Sequence, residues 1–340
     1  MEYSTGKVLF AENEKEHLPI ASVTKVISTL LVMEAIDEGR IALTDTVTVS
    51  EHAASMGGSQ VFLEAGEQMT VEDLLKSLVV VSANDATVAL GEHICGSEAA
   101  FVQAMNDRAR ELGCENSNFV NTNGLPAENH YSCALDVALI TRELMKHKLI
   151  FNYTGIWMDT IRNGSFGLAN TNKLIRFYKG ATGMKTGFTG EAKYCLSGTA
   201  ERDGMALIAV VLGAETSDKR FAAAKGLLDY GFANYSILSP EIPSLEPIEV
   251  KRGVERYISL KAEPISVLTE KGKGGNIETK CVIHESLQAP ISENTEAGYI
   301  AFYKDGTEIA RAKVVTCNSV PEVSYTSLLS EFFSRLFFKK

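Results

Sequence analysis

Residues 19–25 read Pro-Ile-Ala-Ser-Val-Thr-Lys, and they stand immediately before apolar residues that recur at helical spacing over 26–31. The pattern predicts a helix from about Val23 to Glu38. A serine and a lysine three positions apart on a helix share one face. The Lys25 amine can therefore reach the Ser22 hydroxyl and take its proton when the amine is neutral. This stretch predicts a serine nucleophile that is activated by a lysine base.

The spacing alone is not specific, because a second Ser-x-x-Lys occurs at Ser4-Thr5-Gly6-Lys7. That copy overlaps residues 6–12, which we predict to be a β-strand interrupted by glycine. In such a context the two side chains would not be held together. The helical context therefore selects Ser22, although a serine before a helix can also act only as an N-cap.

Two further triplets stand at positions that suit a catalytic cleft. Ser82-Ala83-Asn84 follows an apolar helical stretch and offers a second hydroxyl and an amide. Lys185-Thr186-Gly187 is predicted to lie on a strand whose glycine lets a ligand backbone come close. The alternatives are a simple helix C-cap at Asn84 and an ordinary strand lysine at Lys185. Three motifs in this order, 60 and then 103 residues apart, are nevertheless specific in combination.

The three motifs resemble those of the low-molecular-mass penicillin-binding proteins that are serine D-alanyl-D-alanine carboxypeptidases. The resemblance extends to Gly58-Ser59-Gln60, Met105-Asn106 and Gly124-Leu125-Pro126, and it covers roughly residues 3–235. It implies an α/β (α+β) domain of the serine β-lactamase/transpeptidase type, with an antiparallel sheet and a helical cluster, followed by a small all-β domain. Lys193 departs from the commoner family form, which has glycine there.

The resemblance implies four catalytic residues. Ser22 would be acylated, and Lys25 would be its base, kept neutral by partial burial and by the positive charge of Lys185. Ser82 would relay a proton to the leaving D-alanine amine. Lys185 would supply positive potential.

Substrate binding is expected from a second set of residues. They are Asn84, Thr186, Gly187, Phe188, Thr189 and Arg220. Asn84 would bond the substrate backbone, and the two threonines would bind its terminal carboxylate. Arg220 is an additional carboxylate partner or a structural arginine. The backbone N–H groups of Ser22 and Phe188 would form the oxyanion hole.

The implied activity is removal of the terminal D-alanine from peptidoglycan stem pentapeptides, with β-lactams as inhibitors that acylate the same serine. A class A β-lactamase would also need a Glu-containing loop between the second and third motifs, and we find no convincing counterpart. A non-catalytic peptidoglycan-binding protein would lack the nucleophile. No cofactor or metal is expected, since the six cysteines lie far apart without a CxxC pair.

Net charge and chain length limit the kinds of partner and the number of domains that can be expected. Lys plus Arg number 33 against 43 Asp plus Glu, a net charge of −10, which has the wrong sign for binding phosphate backbones and argues against nucleic acid. A chain of 340 residues exceeds one ordinary core and predicts two domains.

Secondary-structure patterns place the domain boundary. Strands are predicted at Leu174–Tyr178, Tyr194–Ala200 and Met205–Leu212. Residues 239–247 then contain three of the eight prolines, and short alternating strands follow, with a hairpin turn at Lys304-Asp305-Gly306. We assign the catalytic domain to residues 1–240, a small β-rich domain to 241–320 and an amphipathic helix to 321–340.

Residues 325–340 place six large apolar side chains on one helical stripe, and Lys339 and Lys340 close the segment. Such a helix suits a membrane interface, and its alternative is docking on this protein or on another subunit. We expect peripheral attachment to the outer face of the cytoplasmic membrane, in an extracytoplasmic protein. The start of the sequence has no basic region followed by an apolar run, so no secretory signal is identified within it.

Overall fold

The computed structural model describes residues 1–272 and 277–324. The chain divides into two compact units, Met1–Asn234 and a second that begins at Tyr235. In the part that the structure describes, no helix combines the length and the apolar character needed to cross a membrane. The helix predicted at 321–340 falls outside the described residues from position 325 onward, and residues 321–324 are not helical.

The first unit combines a helical cluster with a three-stranded antiparallel sheet. Its α-helices are α1 (Lys25–Asp37), α2 (Glu51–Ala54), α3 (Val71–Val80), α4 (Asn84–Cys95), α5 (Glu98–Glu111), α6 (Ala134–Leu144), α7 (Phe151–Thr154), α8 (Leu174–Phe177) and α9 (Ser217–Asn234). Single 3-10 turns span Ala21–Thr24 and Lys148–Ile150.

The strands of the first unit are β1 (Thr46–Thr48), β2 (Gln68–Thr70), β3 (Met158–Ile161), β4 (Phe166–Ala169), β5 (Ala181–Thr189), β6 (Lys193–Arg202) and β7 (Met205–Ala214). The central sheet has the order β5-β6-β7, and β1-β2 and β3-β4 form separate antiparallel pairs. Lys185 on β5 lies opposite Ser197 on β6. α9 packs on β6 and β7, and α6 packs on β7.

Helix α1 is the centre of the helical cluster and packs against α3, α4, α5 and α6. Its side chains are apolar on nearly every side, which is typical of a helix buried all round. Val26, Ile27 and Leu30 are at most 2% exposed. Lys25, the first residue of α1, is also fully buried, although its side chain ends in an amine. Burial disfavours the charged form of that amine.

Two predicted strands are wrong. Residues 6–12 form no strand; instead Glu2 bridges Leu207, and the backbone N–H of Tyr3 donates to Ala206 at 2.9 Å. Leu174–Tyr178 was expected to be extended, but its first four residues form α8. Asn172 Oδ1 accepts a hydrogen bond from the Leu174 N–H at 3.1 Å, and this polar turn leads directly into α8.

The second unit is built from β-strands. They are β8 (Tyr235–Leu238), β9 (Ile248–Lys251), β10 (Tyr257–Ile258), β11 (Leu260–Ala262), β12 (Val267–Glu270), β13 (Ile277–Ile283), β14 (Ser286–Gln288), β15 (Glu296–Lys304) and β16 (Thr307–Thr316). One sheet has the order β11-β16-β15-β13, and Asp305 and Gly306 form the predicted hairpin turn with positive φ. Ile300, Phe302 and Val314 are fully buried between these strands.

Candidate active site

Ser22 and Lys25 meet where the 3-10 turn Ala21–Thr24 passes into α1. The Lys25 Nζ lies 3.1 Å from Ser22 Oγ, and it donates to Asn84 Oδ1 at 2.6 Å and to the Asn123 carbonyl at 2.8 Å. The first two motifs predicted from the sequence are therefore brought together around one amine. The two carbonyl-type acceptors use both N–H groups of a neutral amine, which leaves its lone pair for the serine hydroxyl.

Burial determines the electrostatics of Lys25. It holds the pKa of the amine well below its usual range, and the nearby Lys185 lowers that pKa further. The Asp85 carboxylate acts in the opposite direction and is the weaker influence. The site therefore favours the neutral amine that a general base requires.

The segment Ser82–Asn84 joins α3 to α4. Ser82 has a positive φ of 66°, which is rare for a residue with a side chain, and its Oγ is buried without a hydrogen-bond partner among the residues that the structure describes. Asn84 begins α4, so it is not a helix C-cap. Its Nδ2 donates to the Gly57 carbonyl at 2.6 Å, which leaves Oδ1 directed at Lys25. The amide is thus oriented by the loop at 57–63.

Asp85 organises that loop and was not predicted as a site residue. Its carboxylate is fully buried and accepts hydrogen bonds from the Val61 N–H at 3.0 Å and the Leu63 N–H at 3.1 Å. A buried carboxylate is tolerated when donors satisfy it in this way. Asp85 therefore supports Asn84 indirectly, through the loop that orients the amide.

Strand β5 carries the third motif against the turn that contains Ser22. A Cβ atom at Gly187 would lie 2.7 Å from the Ile20 carbonyl oxygen and 3.0 Å from the Ser22 nitrogen, so only glycine permits this approach. Lys185 is buried, and its Nζ donates to the Thr186 carbonyl at 2.9 Å. Burial, followed by the charge of Arg220, lowers the pKa of Lys185 to about 7.

The end of β5 passes from the buried Thr186 to a rim formed by the exposed Phe188 and the partly exposed Thr189. Thr186 Oγ1 lies 2.6 Å from the Thr171 hydroxyl, and Thr189 Oγ1 accepts from the Ala192 N–H at 3.0 Å. Phe188 is 55% exposed. Lys193, which follows the hairpin turn, has a positive φ of 55°. That backbone conformation is easiest for glycine, which gives a physical reason for the glycine of the commoner family form.

Arg220 is buried behind β5. Its Nη1 donates to the carbonyls of Gly187 and Cys195, both at 3.1 Å, while Nε has no partner within the described part of the chain. These contacts give Arg220 a structural function in holding β5. The same position places its charge close enough to lower the pKa of Lys185.

The turn at residues 121–125 completes the site from the other side. Asn123 supplies the carbonyl that accepts from Lys25, and Gly124 has a φ of 84°. A Cβ atom at Gly124 would lie 1.9 Å from the carbonyl oxygen of Ala21, the residue before Ser22. Gly124-Leu125-Pro126 was visible as a landmark in the sequence, but the role of the Asn123 carbonyl was not, because every residue has one.

Comparisons with known proteins agree with this geometry. A family model described as D-alanyl-D-alanine carboxypeptidase matches residues 1–216, and one described as the C-terminal domain of penicillin-binding protein 5 matches residues 242–322. The D-alanyl-D-alanine carboxypeptidase DacF of Bacillus subtilis is 44% identical over 336 residues, which cover 97% of this chain and 86% of that relative.

Solved structures agree as well. Penicillin-binding protein 5 of Haemophilus influenzae has a TM-score of 0.80 at 32% identity and covers 95% of this chain and 96% of its own. Penicillin-binding protein D2 of Listeria monocytogenes, solved in an ampicillin-bound form, has a TM-score of 0.62 at 32% identity. The match covers 68% of this chain and 95% of that protein's chain. The predicted family and fold are confirmed, and the chain belongs to the D-alanyl-D-alanine carboxypeptidases, a family of serine peptidases.

Proposed function

We propose that this protein removes the terminal D-alanine from peptidoglycan stem pentapeptides through an acyl-enzyme on Ser22. The observation that carries the proposal is the position of Lys25, whose buried amine lies 3.1 Å from Ser22 Oγ and whose pKa is held well below its usual range. A neutral amine at that distance can accept the serine proton.

In the acylation step, Ser22 Oγ attacks the carbonyl carbon of the penultimate D-alanine while its proton passes to Lys25. The peptide C–N bond then breaks, and the leaving D-alanine nitrogen takes a proton through Ser82. The buried Ser82 Oγ, without a hydrogen-bond partner among the described residues, is free to serve as that relay. The product is an ester on Ser22 and free D-alanine.

Water then hydrolyses the ester, with Lys25 again as the base, and restores the Ser22 hydroxyl. In both steps the developing oxyanion is bound by the N–H groups of Ser22 and Phe188. The contact between Gly187 and the Ser22 nitrogen supports this pairing, because it brings the end of β5 against the turn that carries the nucleophile.

The terminal carboxylate of the substrate is bound at the end of β5. The Thr186 and Thr189 hydroxyls lie on this strand. Asn84, beside Lys25, is the proposed partner of the peptide backbone. Lys185 contributes positive charge, because a bound carboxylate favours its protonated form. Arg220 acts here through its charge and through its hold on the Gly187 carbonyl.

β-Lactams are the proposed inhibitors, since their strained amide presents the same acyl group to Ser22. The family matches support the carboxypeptidase function and give no support to a class A β-lactamase or a non-catalytic peptidoglycan-binding protein. The test is incubation with a fluorescent penicillin, followed by mass mapping and an assay of D-alanine release. An adduct on the Ser22 peptide is expected, and an adduct on Ser82 or Ser4 would contradict the assignment.

The site of action we propose is extracytoplasmic, with residues 325–340 attached to the outer face of the cytoplasmic membrane. Six large apolar side chains supply about 1.5–3 kcal/mol each before ordering costs, and Arg335, Lys339 and Lys340 add attraction to anionic lipid. Vesicle co-sedimentation of the full chain and of a chain ended at Ser324 tests this. Equal partitioning of the two chains would contradict it.

A further inference from the structure

The turn at residues 121–125 is held by a carboxylate that has no part in the chemistry described above. Glu98 Oε1 accepts hydrogen bonds from the Thr122 N–H at 3.1 Å and from the Thr122 hydroxyl at 2.9 Å. The next residue, Asn123, presents its carbonyl to Lys25. We infer that Glu98 is a positioning residue for the catalytic base, because it holds the turn that presents the Asn123 carbonyl to Lys25.

Thr122 is the residue through which Glu98 contacts the turn. Its side chain is fully buried, and its carbonyl accepts from Ser28 Oγ on α1 at 2.5 Å. Thr122 therefore links the turn to two helices: its carbonyl bonds to Ser28 on α1, and its N–H and hydroxyl bond to Glu98 on α5. Within the turn, Asn121 Oδ1 accepts from the Gly124 N–H at 2.7 Å and keeps the chain bent. The Glu98 contact sets where this bent segment sits relative to Lys25.

Glu98 is itself well fixed. It is the first residue of α5, where a carboxylate is favoured by the N-terminal end of the helix dipole. Its second oxygen, Oε2, lies 2.7 Å from His52 Nε2 at a half-exposed position. Each carboxylate oxygen thus has its own partner, one facing the turn and one facing solvent. This division allows the inner and outer contacts to be tested separately.

Loss of the inner contact has a specific consequence for Lys25. The Asn123 carbonyl is one of the two carbonyl-type acceptors of Nζ, and a carbonyl acceptor stabilises the protonated amine. If the turn shifts, the amine loses that acceptor and its fixed distance to Ser22 Oγ, so the acylation rate falls and the acid limb moves to lower pH. Lys185 on β5 and Asp85 on α4 also face Lys25, and neither is altered by changes at Glu98.

The experiment uses the full chain and measures the second-order rate constant of acylation by a fluorescent penicillin as a function of pH. Glu98→Ala is expected to lower the plateau roughly ten-fold and to move the acid limb to lower pH. Glu98→Gln retains an oxygen acceptor for Thr122 and should stay within about two-fold of the parent plateau. His52→Ala removes only the outer contact and serves as the matched control, with an unchanged profile.

Thr122→Val removes one of the two donors and should lower the plateau roughly three-fold in the same direction. It keeps the inference testable if Glu98→Ala does not fold, which thermal unfolding of each variant reports. A parental plateau and acid limb in folded Glu98→Ala, or in Thr122→Val, would overturn the inference. The inference rests on the proposed roles of Ser22 and Lys25. If the parent chain is not acylated at Ser22, the proposed function fails, whereas acylation that is indifferent to Glu98 refutes this inference alone.

Discussion

The stretches Ser4–Lys7 and Ser22–Lys25 have the same serine and lysine spacing but different surroundings. Ser4 and Lys7 are exposed, and Ser4 Oγ donates to Glu2 Oε1 at 2.9 Å rather than meeting the lysine. Between them, Gly6 has a φ of 71°, which breaks any helical relation. In the second stretch the lysine is fully buried, and its Nζ lies 3.1 Å from the serine Oγ.

The difference shows that the Ser-x-x-Lys spacing is necessary for a serine–lysine pair but not sufficient. Helical geometry brings the amine to the hydroxyl, and burial then shifts the amine toward its neutral form. An exposed Ser-x-x-Lys has neither property. The comparison can be tested with paired variants, in which each change at the buried stretch is matched by the same change at the exposed stretch.

The largest effect is expected from Ser22→Ala, because no ester can form without the hydroxyl. Covalent labelling by a fluorescent penicillin should disappear on denaturing electrophoresis, while Ser4→Ala should label like the parent chain. Retained labelling of Ser22→Ala would mean that the nucleophile has been misassigned.

Lys25→Ala is expected to reduce the acylation rate by about 10²- to 10⁴-fold at neutral pH, the usual contribution of a general base. Lys7→Ala should leave the rate unchanged. Stopped-flow or quenched labelling measures both. Full acylation by Lys25→Ala would exclude the lysine as the base and would remove the contrast between the two stretches.

A smaller effect is expected from the substrate side, because β5 lies against the Ser22 turn and supplies the proposed carboxylate site. A peptide whose terminal carboxylate is capped as an amide should lose about 1.5–3 kcal/mol of binding, equivalent to roughly 10- to 150-fold in kcat/KM. The Ser4→Ala chain should show the same ratio. Equal turnover of free and amidated peptides would point to an endopeptidase or esterase.

The mildest effect is the pH dependence. Lys25 must be neutral to act as a base, so kcat/KM should rise with pH through its lowered apparent pKa. Lys185 must be protonated to attract a carboxylate, so kcat/KM should fall as pH rises through about 7. The falling limb should be absent from kcat, because the bound carboxylate raises the pKa of Lys185. A Lys7→Ala chain with a different profile would contradict these assignments.

Periodicity was enough to predict α1 and the helical stretch before Ser82, which is α3, because apolar residues recur there at helical spacing. It failed at Leu174–Tyr178, where the chain turns into the short helix α8 despite the β propensity of its residues. It also missed α4, whose polar start at Asn84 resembles the end of a helix and which begins without a side-chain cap.

The parts of the candidate site that are side chains could be predicted from the sequence. The parts that are backbone groups could not. Ser22, Lys25, Asn84 and Lys185 could be selected by residue type and spacing. The Asn123 carbonyl could not, since a backbone acceptor leaves no signature in the sequence. Asp85 was visible beside Asn84, but its function depends on a loop whose path only the fold determines.

Gly124 and Gly187 close on the Ser22 turn from two sides, and neither has room for a side chain. For the evolution of β-lactam resistance this is a constraint, because a mutation at either glycine would displace the serine for drug and cell-wall peptide alike. The exposed rim that carries Phe188 and Lys193 has no such restriction, so a change that separates the two acyl donors is expected there rather than at the two glycines.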